Sequence, residues 1–128
     1  MYNSDWYNSL IKPSFAPPDW IFAPTWGFLY VTILISIILY SIKPAPNKKS
    51  GYIFFVLQLF FNFLWSPVFF GMQNMKLGLI IIILMIFFTI LTVKAFIKIS
   101  KESAILLIPY LLWIIFAACL NTGYIIKN

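Results

Sequence analysis

The sequence predicts an all-α, polytopic membrane bundle of four transmembrane helices behind a Pro- and Trp-rich N-terminal loop. Three observations predict it. The chain is 62% hydrophobic and only 9% charged over 128 residues; a soluble domain is about a quarter charged. A small water-soluble fold could not hide that much apolar surface. The apolar residues gather in four runs, about 20–42, 52–71, 77–97 and 104–126. Each has about the twenty residues that a helix needs to cross a hydrocarbon core of about 30 Å. The gaps between the runs are short and hold most of the lysines. Spanning β-strands would be about half as long and would alternate in polarity. Residues 1–128 thus read as one transmembrane domain, with 1–19 outside the membrane.

The segment Trp6-Tyr7-Asn8-Ser9-Leu10-Ile11-Lys12-Pro13-Ser14-Phe15-Ala16-Pro17-Pro18 is too polar and Pro-rich to span. Its prolines favour an extended, ordered path, and Trp and Tyr favour the headgroup zone. It reads as a loop over the outer mouth of the bundle, a candidate lid. Residues Met1 to Asn8 hold no cationic stretch leading into an apolar one, so no cleavable signal peptide is expected. The gap from Lys43 to Ser50 is a Pro-punctuated turn, Met72 to Lys76 a tight link, and Lys98 to Ser103 a third. Short links favour antiparallel neighbours and an up-down bundle.

All nine basic residues are lysines, and the net charge is +6. Lysines in loops report topology rather than a phosphate-binding patch, so no nucleic-acid partner is expected. Lys43, Lys48, Lys49, Lys94, Lys98 and Lys101 lie at one membrane face, against Lys12, Lys76 and Lys127 at the other. The links 43–50 and 98–103 are therefore expected in the cytoplasm, with both termini opposite.

Polar and aromatic groups fall on single stripes of three runs. The first carries Trp26 and Tyr30, one turn apart. The second carries Gln58, Asn62, Trp65 and Phe69, and the fourth carries Tyr110, Trp113, Ala117 and Asn121. These spacings put each set on one helix face. Carboxamides are costly in hydrocarbon without partners, so the stripes should face the bundle interior. The plain alternative is that Gln58, Asn62 and Asn121 only tie helices together. Converging indoles and amides, with Ala117 leaving space, instead make an aromatic cavity suited to a flat, apolar ligand with polar edges. The third run is purely apolar from Ile80 to Phe88 and reads as a lipid-facing wall. Pro24, Pro67 and Pro109 can kink their helices, as a packing adjustment or to widen a pocket.

Several chemistries are excluded. There is no His, and Cys119 is a lone thiol in an apolar run, so no metal site and no internal disulfide are expected. Asp5, Asp19 and Glu102 are the only acids, and all lie outside the apolar runs or at their edges. An intramembrane carboxylate of the kind that proton-coupled export uses is therefore missing. No Ser/His/Asp set or phosphate loop occurs.

Trp6-Tyr7, Leu10, Lys12-Pro13 and Pro17-Pro18, then Trp26 and Leu29-Tyr30, resemble a signature of the TspO/MBR family. These are the tryptophan-rich sensory proteins, translocator proteins or peripheral-type benzodiazepine receptors. Gln58-Leu59, Asn62, Trp65-Ser66 and Phe69-Phe70 are similar to a second family motif. Pro109-Tyr110, Trp113, Phe116-Ala117 and Leu120-Asn121 are similar to its last helix. The match spans nearly the whole chain in order. The family normally has five helices; this chain begins at the loop that follows the first, so that helix is expected to be missing here. An open bundle of this kind invites a homodimer.

The resemblance implies a receptor or carrier for porphyrin-like tetrapyrroles, with sterols or drug-like molecules as further ligands and no bound cofactor. It implies a pocket roofed by the loop. The resulting site comprises Pro17, Trp26, Tyr30, Asn62, Trp65, Phe69, Trp113, Ala117 and Leu120. Leu120, Tyr124 and Lys127 fit the loose cholesterol pattern, which is a weak signal. An alternative is a porphyrin-degrading membrane enzyme using Trp26 and Trp113 as redox partners in light and oxygen. Another is a small drug exporter or structural membrane subunit. The expected location is the cell membrane of a prokaryote, with the lipid bilayer itself as a partner.

Overall fold

The computed structural model describes residues 10, 14, 21–72 and 74–127. Four long helices account for almost all of them: α1 (Phe22–Ile42), α2 (Lys49–Ser66), α3 (Met75–Ile97) and α4 (Lys101–Lys127). A five-residue π-helical turn, Pro67–Gly71, continues α2. All four helical stretches are long and apolar enough to cross a membrane. The chain is an integral membrane protein of the expected all-α class.

The helices end where backbone chemistry ends them, not where apolarity stops. Pro24 sits in the first turn of α1, where a missing N–H costs nothing. Pro44 forces Lys43 into an extended conformation (φ −76°, ψ 118°), and α1 stops there. Asn47 takes the left-handed region at φ 60°, which a short amide tolerates. The Asn74 side chain accepts from Leu77 N at 3.0 Å and starts α3. Ser100 Oγ does the same for α4, accepting from Ser103 N at 3.3 Å. Glu102 and Lys127 then sit in the first and last turns of α4, where the helix dipole favours their charges. Helices α2, α3 and α4 start two or three residues before their apolar runs, because lysines are good helix formers and are drawn into the first turns.

Pro67 makes an irregularity at the end of α2. It has no N–H for the Phe63 carbonyl, so the backbone widens and Met72 N reaches Pro67 O at 3.0 Å, five residues back. The expected kink is thus a π turn. Pro109 leaves α4 continuous.

Helix α2 packs on α3, α3 on α4, and α4 on α1. The first and second helices are consecutive in sequence but not backbone neighbours; they meet through long side chains. The expected antiparallel pairing therefore holds for two of the three links. The reading of the third run as a lipid-facing wall holds for one face only, where Ile80, Ile83, Leu84, Phe87 and Ile90 are exposed; the other face packs inside the bundle. Helix α3 lies between α2 and α4, burying Gly78, Ile81, Ile82, Met85, Thr89, Thr92 and Phe96. Thr89 and Thr92 can be buried because their hydroxyls donate to Met85 O and Phe88 O in their own helix, each at 2.7 Å. An apolar run in a membrane does not say which of its faces meets protein, since lipid and Ile are alike as solvents.

Two close contacts hold the end near the first and third links. Ser36 Oγ donates to Ser103 O at 2.7 Å and Ser103 Oγ to Ser36 O at 2.6 Å, a reciprocal pair that draws α1 against α4. Tyr40 stacks on Phe96 with centroids 3.9 Å apart and donates to Lys48 O at 2.9 Å. Gly51 lies directly under the Tyr40 hydroxyl, where a Cβ would collide.

Candidate functional site

The candidate site lies away from that end, where the N-terminal half of α1 meets the C-terminal half of α2 and the middle of α4. Helix spacing places Trp26 over Tyr30, with ring centroids 5.7 Å apart. Trp26 meets Trp113 of α4 edge-to-face at 6.3 Å and 89°. Trp113 contacts Phe116 at 5.5 Å. On the other side Tyr30 stacks with Phe63 at 6.1 Å. The Tyr30 hydroxyl donates to Asn62 Oδ1 at 2.5 Å, joining α1 to α2.

Asn62 continues inward. Its Nδ2 donates to the Tyr110 hydroxyl oxygen at 2.8 Å, and Tyr110 donates to Gln58 Oε1 at 2.8 Å. Tyr30 is 38% exposed, while Asn62, Gln58 and Tyr110 are at 6%, 1% and 0%. The polar chain thus begins at the aromatic cluster and ends sealed in the core.

A second group packs beside the first. Trp65 stacks on Phe69 at 4.9 Å, and Phe69 meets Tyr124 at 6.4 Å. Trp65 Nε1 donates to Asn121 Oδ1 at 3.4 Å, and Asn121 Nδ2 donates to Met75 O at 2.8 Å. These bonds tie α2, α3 and α4 together at the π turn. Gly78 allows the convergence: a Cβ there would lie 3.2–3.4 Å from Phe69, Asn121 and Trp65. Leu120 and Leu10 pack into this group, and Trp65 touches both clusters.

The structure therefore gathers Trp26, Tyr30, Asn62 and Trp113 into one cluster and Trp65, Phe69 and Leu120 into its neighbour. Ala117 is half-buried one turn beyond Trp113 on α4. Pro17 and most of the loop lie outside the described residues; Leu10, within that loop, packs against the second cluster. Several participants escaped the site list drawn from sequence, among them Phe63, Tyr110, Gln58 and Gly78. Phe63 lies off the amide stripe, and its 60% exposure gives no pattern to read. Tyr110 and Gln58 were on the right stripes, but spacing alone could not show that they bond to each other. Gly78, a lone glycine in an apolar helix, was the available sign of a close approach.

The site offers aromatic faces, one half-exposed hydroxyl and a sealed run of amides. Among the described residues no group of three His, Cys, Asp or Glu could hold a metal. Nor do the described residues there include an acid–base pair.

The model of the TspO/MBR family matches residues 1–126. The chain is 42% identical over 120 residues to the tryptophan-rich protein TspO of Chlorobaculum tepidum, covering 91% of this chain and 75% of that one. It is 42% identical over 125 residues to the tryptophan-rich protein TspO of Archaeoglobus fulgidus, covering 96% and 80%. It is 36% identical over 119 residues to the translocator protein of Ovis aries, covering 91% and 70%.

Proposed function

The chain belongs to the TspO/MBR family, and from that premise we propose that it is a membrane receptor or carrier for porphyrin-like tetrapyrroles and other flat apolar ligands. The reading is carried by one observation: Trp26, Tyr30, Asn62 and Trp113, drawn from three helices, converge in one cluster. A macrocycle is a large π face with a polar rim. Indole faces supply stacking area, and a hydroxyl beside them supplies orientation. The relatives' names, tryptophan-rich sensory protein and translocator protein, fit a protein that detects or moves a ligand. The second cluster, with Trp65, Phe69 and Leu120, backs the first, and Ala117, a small residue one turn from Trp113, would leave room for a ligand. Pro17 belongs to the loop that would roof the site. The proposed setting is a prokaryotic cell membrane.

Titration of the protein in lipid nanodiscs with protoporphyrin tests this. Tryptophan fluorescence should be quenched saturably. Trp113→Ala removes an aromatic contact worth about 0.5–1.5 kcal/mol beyond its area, so affinity should fall at least about threefold. Ala117→Phe should weaken binding by filling the space. Linear, unsaturable quenching, or the same isotherm in both variants, refutes the site.

A further inference from the structure

The polar chain under the site has a direction. Tyr30 donates to Asn62, Asn62 to Tyr110, and Tyr110 to Gln58. Every donor points inward. The hydroxyl proton of Tyr30 is spent on Asn62, so its oxygen offers only lone pairs to whatever lies beside the indoles. At the far end Gln58 Nε2 is buried with no hydrogen-bond partner among the described residues. A buried amide donor left unmade is costly, and such an atom needs a reason.

The symmetry of the carboxamide gives the chain a second arrangement. The two ends of a carboxamide have nearly the same shape but opposite hydrogen-bonding roles. If Asn62 and Gln58 both turn over, Gln58 Nε2 donates to Tyr110, Tyr110 donates to Asn62 Oδ1, and Asn62 Nδ2 donates to Tyr30. The same three links are made. Gln58 Oε1 loses its partner at one end, the Tyr30 proton is released to face the site at the other, and Asn62 gives up its long contact from Nδ2 to Met85 Sδ at 4.0 Å.

We infer that Tyr30 is the residue that reads the hydrogen-bonding edge of the ligand, and that the buried chain Asn62–Tyr110–Gln58 sets whether it reads as acceptor or donor. This rests on the proposed ligand site. In the direction observed, Tyr30 accepts, so it favours a ligand edge carrying N–H or O–H groups. Asn62 spends its oxygen on Tyr30 and its nitrogen on Tyr110 and Met85 Sδ, so neither is left for a ligand. It is a positioning residue, as are Tyr110 and Gln58.

Two porphyrins with the same macrocycle test it: protoporphyrin with its side chains as primary amides, and as methyl esters. The amide has donors and the ester has only acceptors. Wild-type protein in nanodiscs, followed by tryptophan quenching, should bind the amide about three- to tenfold more tightly, the worth of one neutral hydrogen bond. Tyr30→Phe keeps the ring but removes the hydroxyl and should erase that ratio, which is read within the variant itself and so does not depend on its affinity for either porphyrin alone. Gln58→Leu, combined with Thr89→Val to remove the hydroxyl that also reaches Tyr110, leaves the Tyr110 proton no acceptor but Asn62 Oδ1. The chain must then run outward. Ester affinity should rise about three- to tenfold while the ratio falls towards one. A structural role predicts no gain of affinity from such a change. A wild-type ratio of one, or a ratio that survives Tyr30→Phe, overturns the inference while leaving the receptor reading intact. Failure of wild-type protein to bind either porphyrin overturns both.

Discussion

Gly51→Ala should destabilise the bundle, although alanine is the better helix former. In an ordinary helix the exchange gains about 1 kcal/mol. Here the added Cβ would overlap the Tyr40 hydroxyl and lie 2.7 Å from Tyr40 Cζ and 3.2 Å from Phe96 Cε1. Neither ring can retreat. Tyr40 and Phe96 are both fully buried, and they stack at 3.9 Å. Overpacking of this kind costs about 1–3 kcal/mol. Moving Tyr40 also breaks its bond to Lys48 O, and one hydrogen bond in a membrane protein is worth about 0.6 kcal/mol on average. The costs exceed the gain across their range, a net loss of about 0.6–2.6 kcal/mol, and the rigid stack places this site towards the upper end. The assay is reversible unfolding in mixed micelles with increasing sodium dodecyl sulfate, followed by circular dichroism. The control is the same exchange in a Tyr40→Leu background, which removes both atoms that the Cβ meets first. Gly51→Ala should then be neutral or stabilising. Equal effects in the two backgrounds, or stabilisation in the wild type, would show that Tyr40 does not roof Gly51.

Gly78→Ala should be close to neutral, because helix propensity offsets contacts at 3.2–3.4 Å, whereas Gly78→Val should break the Trp65–Asn121 bond and shift tryptophan emission to the red. Ser36→Ala removes one of two reciprocal bonds and should cost about 0.6 kcal/mol in the same unfolding assay; Ser36→Leu should cost several times more by pushing α1 off α4. Single cysteines at Lys48 and Asn74, in a Cys119→Ala background, should be labelled by an impermeant maleimide from opposite sides of the membrane, with Lys48 cytoplasmic by the lysine bias. Labelling of both from one side would contradict the topology.

Much of this protein was legible without coordinates. Four spans follow from run length, because a bilayer demands about twenty apolar residues of any helix that crosses it. The inward faces of α2 and α4 follow from Gln58, Asn62 and Asn121, because a carboxamide cannot be left to lipid. Membership of the family follows from tryptophans, prolines and amides repeated in order. Other features had no linear signal. Helix α3 looked like a wall and proved to be one on a single face, since Ile81 and Ile82 are as comfortable against protein as against lipid. The consecutive helices α1 and α2 proved not to pack along their length, since a six-residue link permits either arrangement. The bonds from Tyr30 through Asn62 and Tyr110 to Gln58 join residues as far as 52 positions apart. Local spacing specifies which face a side chain occupies; only the packing of three helices decides which partner it meets there.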